Sequence, residues 1–103
     1  MPRTVWIIEF NLKKGVTEDQ FLKSSKRVCQ EIISKQKGYI SWDQFLKDDT
    51  WIDFVVWETM EDAKKALTAG SKNPVAREFY SLMVYKSIKT KILTVKGSYG
   101  LDT

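Results

Sequence analysis

Along residues 4–12 (TVWIIEFNL), β-branched and aromatic side chains crowd together ahead of a turn-like Lys13-Lys14-Gly15, which predicts a first strand. The period then changes. Phe21, Ser25, Val28 and Ile32, with Leu22, Cys29 and Ile33 beside them, recur at helical spacing, while Lys23, Lys26, Arg27 and Glu31 fall on the other side. That pattern is a helix with one buried stripe. Thr17 and Gln20 have the form of a capping box at its start, and Gly38 supplies its stop. Residues 39–46 and 51–58 read as two strands around a short polar turn at Asp48 and Asp49, a hairpin. Thr59 caps a further helix through Met60, Ala63, Ala66 and Leu67 that stops near Gly70. Asn73 and Pro74 then supply a cap and a first-turn proline for a short segment carrying Val75, Ala76, Phe79 and Tyr80, so the second helix is broken. Residues 87–95 (SIKTKILTV) predict the last strand, and the tail 97–103 is expected to fray.

The order βαββαβ predicts an α+β fold of the ferredoxin-like type, a four-stranded antiparallel sheet with both helices on one face. A sheet with one wet face should alternate cleanly between apolar and polar residues. Val5-Trp6-Ile7-Ile8 and residues 52–57 instead place apolar groups on both sides. Self-association through the uncovered face, as a homodimer, follows as an expectation.

A chain of 103 residues suits one domain spanning 1–103. No apolar run approaches the roughly 20 residues of a membrane span, and the start of the chain lacks the pattern of a signal peptide, so a cytoplasmic protein without a membrane partner is expected. The single Cys29 excludes an internal disulfide, and with no histidine in the chain a transition-metal site is not expected. Seventeen basic against thirteen acidic residues give +4, but the lysines are scattered from Lys13 to Lys96, as on a solvated surface. Phosphate loops, paired CxxC motifs and nucleophile elbows are all missing from the sequence.

Charge argues the hairpin register. An odd loop could set Asp43 opposite Asp53, a destabilising like-charge pair, so an even loop is expected. It pairs Leu46 with Trp51, Gln44 with Asp53, Trp42 with Val55 and Ile40 with Trp57. Trp42, Trp51 and Trp57 then share one face around a polar Gln44/Asp53 patch, and Tyr39, Asp43, Phe45, Ile52, Phe54 and Val56 share the other. Large flat side chains with a few placed polar groups suit a planar aromatic ligand, although ordinary core packing uses the same residues. Asp53 among tryptophans would have its pKa raised by desolvation and would suit a general base; on a strand end it would simply face water. Cys29, on the helix stripe with no histidine to activate it, reads as a structural thiol.

Residues 54–63 (FVVWETMEDA) followed by 73–79 (NPVAREF) resemble the strand–helix signature of the antibiotic biosynthesis monooxygenase family, a branch of the dimeric α+β barrel superfamily. Residues 10–15 and 38–41 resemble its first-strand ending and second-strand opening, so the similarity spans about 5–95. The resemblance implies a dimer with a cavity between sheet and helices in each protomer. The family it resembles includes cofactor-independent oxygenases of polycyclic aromatic phenols and quinones, haem-degrading enzymes, and many members without an assigned activity. Aligned with the haem-degrading branch, Ile8, Ala66 and Tyr80 stand where that branch uses asparagine, tryptophan and histidine, which argues against haem and leaves no cofactor expected. For the oxygenase branch, Trp57 matches the motif tryptophan, and Phe79, Arg77 and Tyr80 lie on the segment bordering the cavity. Asp53 would act as base and Arg77 or Tyr80 as the donor that stabilises an anion. Trp42, Gln44, Trp57 and Phe79 would contact the substrate. Against each stands a plain structural reading, for Arg77 a surface charge.

Two other classes compete. The same element order builds the RNA recognition motif, but residues 50–53 (TWID) lack its glycine and a stacking position, and Asp53 would repel phosphate, so no nucleic-acid partner is expected. The alternative to an oxygenase is a non-catalytic dimeric barrel that binds a small apolar ligand or serves as a structural partner.

Overall fold

The computed structural model describes residues 2–100. Its elements are β1 (Thr4–Asn11), α1 (Glu18–Glu31), β2 (Tyr39–Lys47), β3 (Thr50–Trp57), α2 (Met60–Gly70), α3 (Pro74–Ser81) and β4 (Lys89–Thr94). The strands form one sheet in the order β2-β3-β1-β4, with every neighbouring pair antiparallel. Each crossover therefore joins two parallel strands across an intervening antiparallel one: β1 to β2 around β3, and β3 to β4 around β1. This is the predicted ferredoxin-like α+β arrangement.

The helix starts follow from side chains that accept otherwise unpaired backbone hydrogens. Thr17 Oγ1 accepts from the Gln20 amide at 3.1 Å, Thr59 Oγ1 from Asp62 at 3.0 Å, and Asn73 Oδ1 from Val75 at 2.9 Å with Pro74 in the first turn. α1 ends earlier than Gly38 predicts. After Glu31 the chain tightens into a single 3-10 turn, Ile33–Lys35, and Gln36 Nε2 donates back to the Ile32 carbonyl at 3.1 Å, replacing a bond that a continuing helix would have made. β4 likewise begins two residues later than expected, because Ser87 closes a turn: its hydroxyl accepts from the Asn11 amide at 2.9 Å and donates to the Val84 carbonyl at 2.6 Å. Residues 97–100 carry no regular secondary structure, and the rest of the expected tail, 101–103, lies outside the described residues.

The hairpin has the even, two-residue loop that the like-charge argument requires. Asp48 takes the left-handed conformation (φ 56°), and Leu46, Gln44 and Trp42 pair with Trp51, Asp53 and Val55. The pairing of Ile40 with Trp57 does not occur. A bulge between Tyr39 and Ser41 leaves Ile40 unpaired and exposed, sets Tyr39 opposite Trp57, and so moves Tyr39 off the face expected for it. The shift packs the half-buried Tyr39 ring edge-on against Trp57, centroids 5.8 Å apart, and brings its hydroxyl 3.6 Å from Cys29 Sγ. Gly38 makes the entry possible: its φ is +84°, and a Cβ there would collide with the Asp62 side chain.

Strand alternation gives the sheet two apolar faces. The inner face carries Trp6, Ile8, Phe10, Trp51, Val55 and Trp57, which pack with Phe21 and Val28 of α1, Ala63 and Ala66 of α2 and Phe79 of α3. Among the described residues no helix packs on the outer face. Its rows run Leu93–Val5–Val56–Ser41, Lys91–Ile7–Phe54–Asp43 and Lys89–Glu9–Ile52–Phe45. No helix among the described residues is long and apolar enough to cross a membrane.

Candidate functional site

Small residues on the helices open a cavity over the inner face. α2 turns Ala66 and Gly70 toward the sheet and α3 turns Ala76, so the side chains of β1, β2 and β3 opposite them meet nothing that fills the gap. The result is a space of about 250 Å³ walled by Trp6 and Ile8 of β1, Trp42 of β2, Asp53 and Val55 of β3, and Phe79 and Tyr80 of α3. Val28 and Ile33 close the side toward α1, and Leu67 and Ser71 the side toward α2. The lining is overwhelmingly apolar, with few polar groups, as in small-molecule sites.

Asp53 is the polar centre of that wall. Its side chain faces inward from the middle of β3 and is 1% exposed. Gln44, its partner across the hairpin, donates from Nε2 to Asp53 Oδ1 at 3.1 Å and from the same nitrogen to Ser25 Oγ at 2.9 Å; Ser25 donates in turn to the Phe21 carbonyl at 2.9 Å. Burial pushes the Asp53 carboxyl from its ordinary 3.8 up to about 7, against the smaller opposing pull of the Gln44 hydrogen bond and of the Trp42 indole N–H. That indole is near enough to favour the carboxylate but meets no partner at hydrogen-bonding geometry. Trp6, Trp42 and Trp57 all have buried Nε1 atoms without a protein partner, and Trp6 and Trp42 are cavity walls. A buried unpaired donor is costly, which favours a ligand carrying an acceptor oxygen. Tyr80, at the end of the cavity formed by α3, leaves part of its surface exposed, but its hydroxyl is largely desolvated; that desolvation and, less, the nearby charge of Asp53 raise its phenol pKa, so it is a donor at neutral pH.

The structure thus gathers four of the residues singled out from the sequence, Trp42, Asp53, Phe79 and Tyr80, around one cavity, with Gln44 joined to them through Asp53. Two others stand apart. Trp57 is fully buried against Trp6 (centroids 5.0 Å apart) and Tyr39, and is not among the cavity walls. Arg77 is exposed on α3, away from the wall. Sequence reasoning missed Trp6, Val55, Gly70 and Ala76. For Gly70 and Ala76 the signal was the run of small residues at apolar helical positions, which leaves space as readily as it packs close. Ile8 and Ala66, aligned with haem-branch residues on the resemblance, do lie on the wall, but neither side chain can ligate a metal.

No protein-family profile and no curated protein sequence matches the chain. Solved structures do. SnoaB, a cofactor-independent oxygenase from Streptomyces nogalater, superposes in a variant form with a TM-score of 0.77 at 13% identity, covering 95% of this chain and 97% of that one. The ActVA-Orf6 monooxygenase of Streptomyces coelicolor, in complex with nanaomycin D, gives a TM-score of 0.73 at 19% identity over 95% of this chain and 91% of that one. A protein of unknown function from Nitrosomonas europaea gives 0.71 at 10% identity over 96% and 94%. At such identities the similarity is one of fold: the chain has a ferredoxin-like α+β fold that it shares with these proteins over nine-tenths or more of each.

Proposed function

We propose that this protein is a cofactor-independent monooxygenase of a small aromatic hydroxyl compound, a phenol or quinol, acting as a cytoplasmic homodimer. One observation carries the reading: a carboxyl group that is 1% exposed stands in the wall of an apolar cavity beside an unpartnered indole N–H, where burial pushes its pKa up to about 7. A base is most effective when its pKa lies near the working pH, and a dry pocket strengthens every charge formed within it. Asp53 takes the substrate's hydroxyl proton, and the electron-rich oxyanion that results reduces oxygen directly. Trp42 Nε1 and the Tyr80 hydroxyl are the donors placed to hold the oxyanion. For a quinol the balance is quinol plus O2 giving hydroxyquinone plus water: one oxygen atom enters the ring, the other leaves as water, and all four electrons come from the substrate. The proton held by Asp53 returns to the departing oxygen. A volume near 250 Å³ suits a compound of one or two rings, below the roughly 300 Å³ where drug-sized sites begin.

The outer sheet face supports the dimer. Its middle row is apolar in the centre and ends in Lys91 at one edge and Asp43 at the other, so a second copy turned about an axis along the strands sets opposite charges together.

Oxygen uptake by the purified protein with naphthalene-1,4-diol, corrected for autoxidation and without added flavin or metal, tests the reading. The expected product is one oxygen atom richer and two hydrogens poorer than the substrate. Saturable tryptophan quenching by the diol without oxygen uptake would favour the non-catalytic binding protein instead.

A further inference from the structure

Three hydrogen bonds behind Asp53 have a forced direction. Ser25 Oγ gives its one hydrogen to the Phe21 carbonyl at 2.9 Å, so toward Gln44 it can only accept. Gln44 Nε2, 2.9 Å away, must then be the donor, which fixes which end of the amide points inward. The second hydrogen of the same nitrogen goes to Asp53 Oδ1 at 3.1 Å. An amide nitrogen offers no lone pair. Oδ1 is therefore an acceptor in both protonation states of Asp53, and because a carbonyl oxygen accepts more strongly than an acid O–H oxygen, the bond favours placing the acid proton, when present, on Oδ2.

We propose that Gln44 is a positioning residue of the site: anchored on Ser25, it ties Asp53 Oδ1 and leaves Oδ2 as the atom that exchanges a proton with the hydroxyl of the bound aromatic. This role rests on Asp53 being the base. It also explains why glutamine suits a position on an edge strand where most neighbours are exposed. A cation there would hold Asp53 permanently ionised, and an apolar residue would leave Oδ1 without a partner; a neutral double donor favours the carboxylate only moderately, so the group can still cycle. No other charge interferes from the elements packed around it. β1 contributes Trp6 and Ile8, β2 contributes Trp42, α1 contributes Ser25, α2 contributes Ala66, and the titratable group facing Asp53 is Tyr80 of α3.

The test reads Asp53 itself. In full-length protein labelled with γ-13C aspartate, the Asp53 resonance is identified by its loss in Asp53→Asn and followed against pH. Gln44→Met keeps the length of the side chain and removes both donors. It is expected to move the Asp53 midpoint upward by about one pH unit, the effect of losing a hydrogen bond to a charged group. Ser25→Ala removes only the anchor and is expected to move the midpoint the same way by less; it serves as the measurement if Gln44→Met fails to fold. A midpoint unmoved in either folded variant overturns the role of Gln44. Because the titration needs no turnover, it separates the two readings: if Gln44→Met moves the midpoint while no phenol is oxidised by the wild type, the oxygenase reading falls and the tie between Gln44 and Asp53 stands. With turnover present, Gln44→Met is expected to shift the pH–rate midpoint in parallel, leaving KM nearly unchanged.

Discussion

Replacing Asp53 by asparagine should stabilise the protein at alkaline pH, and the size of the effect follows from the burial of the carboxyl group. The folded protein holds the Asp53 proton to about pH 7, whereas the unfolded chain releases it near 3.8. A difference of about three pKa units at 1.36 kcal/mol each is roughly 4 kcal/mol, large beside a typical total stability of about 5–15 kcal/mol. The sign is set by which state binds the proton more tightly. Here it is the folded state, so this stability is fully present below pH 3.8, declines as pH rises toward 7 and is absent above it. About 3 kcal/mol of the decline falls between pH 5 and pH 8. Asparagine keeps the shape, still accepts from Gln44 through its carbonyl oxygen and has no charge to bury. Urea unfolding of both proteins at several pH values isolates the effect, because every other titrating group cancels in the difference. The variant is expected to gain about 3 kcal/mol on the wild type from pH 5 to pH 8. A difference between the two proteins that stays constant over that range would refute the burial of an ionisable Asp53.

Further outcomes test other parts of the account. Gly38→Ala meets both an unfavourable positive φ and the Asp62 side chain, and is expected to cost about 1–3 kcal/mol in urea or thermal unfolding. Ala66→Leu fills the cavity from α2; naphthalene-1,4-diol should lose its tryptophan quenching by tenfold or more, while stability changes by less than about 1.5 kcal/mol. Quenching as strong as in the wild type would place the ligand elsewhere. Phe54→Lys puts a charge at the centre of the outer face and should convert the proposed dimer to a monomer in native mass spectrometry at micromolar concentration, with the folded core intact.

Much of the fold was legible because its determinants are local. Thr17, Thr59 and Asn73 are helix starts by chemistry alone, and the even hairpin loop followed from keeping Asp43 away from Asp53. What escaped was set by tertiary contact. The bulge at Ile40 exists because Tyr39 gains a place against Trp57, which no periodicity in residues 39–46 announces. The site was half legible for the same reason. Alternation put Trp42, Asp53 and Trp57 on one face, but not which of them stands beneath a missing side chain; Ala66, Gly70 and Ala76 decide that, and they leave Asp53 at the cavity while Trp57 is sealed behind Trp6. Arg77 shows the limit of reading a helix by proximity in sequence: adjacent to Ala76, it points to solvent.

The pH dependence of oxygen uptake with naphthalene-1,4-diol, compared between wild type and Asp53→Asn, bears most directly on Asp53 as the base of a cofactor-free oxygenase. The wild-type rate, above autoxidation, is expected to rise through about pH 7 as the carboxyl ionises, and the variant is expected to be slower by about a hundredfold or more without that rise. Equal rates and equal pH profiles for the two proteins would contradict it.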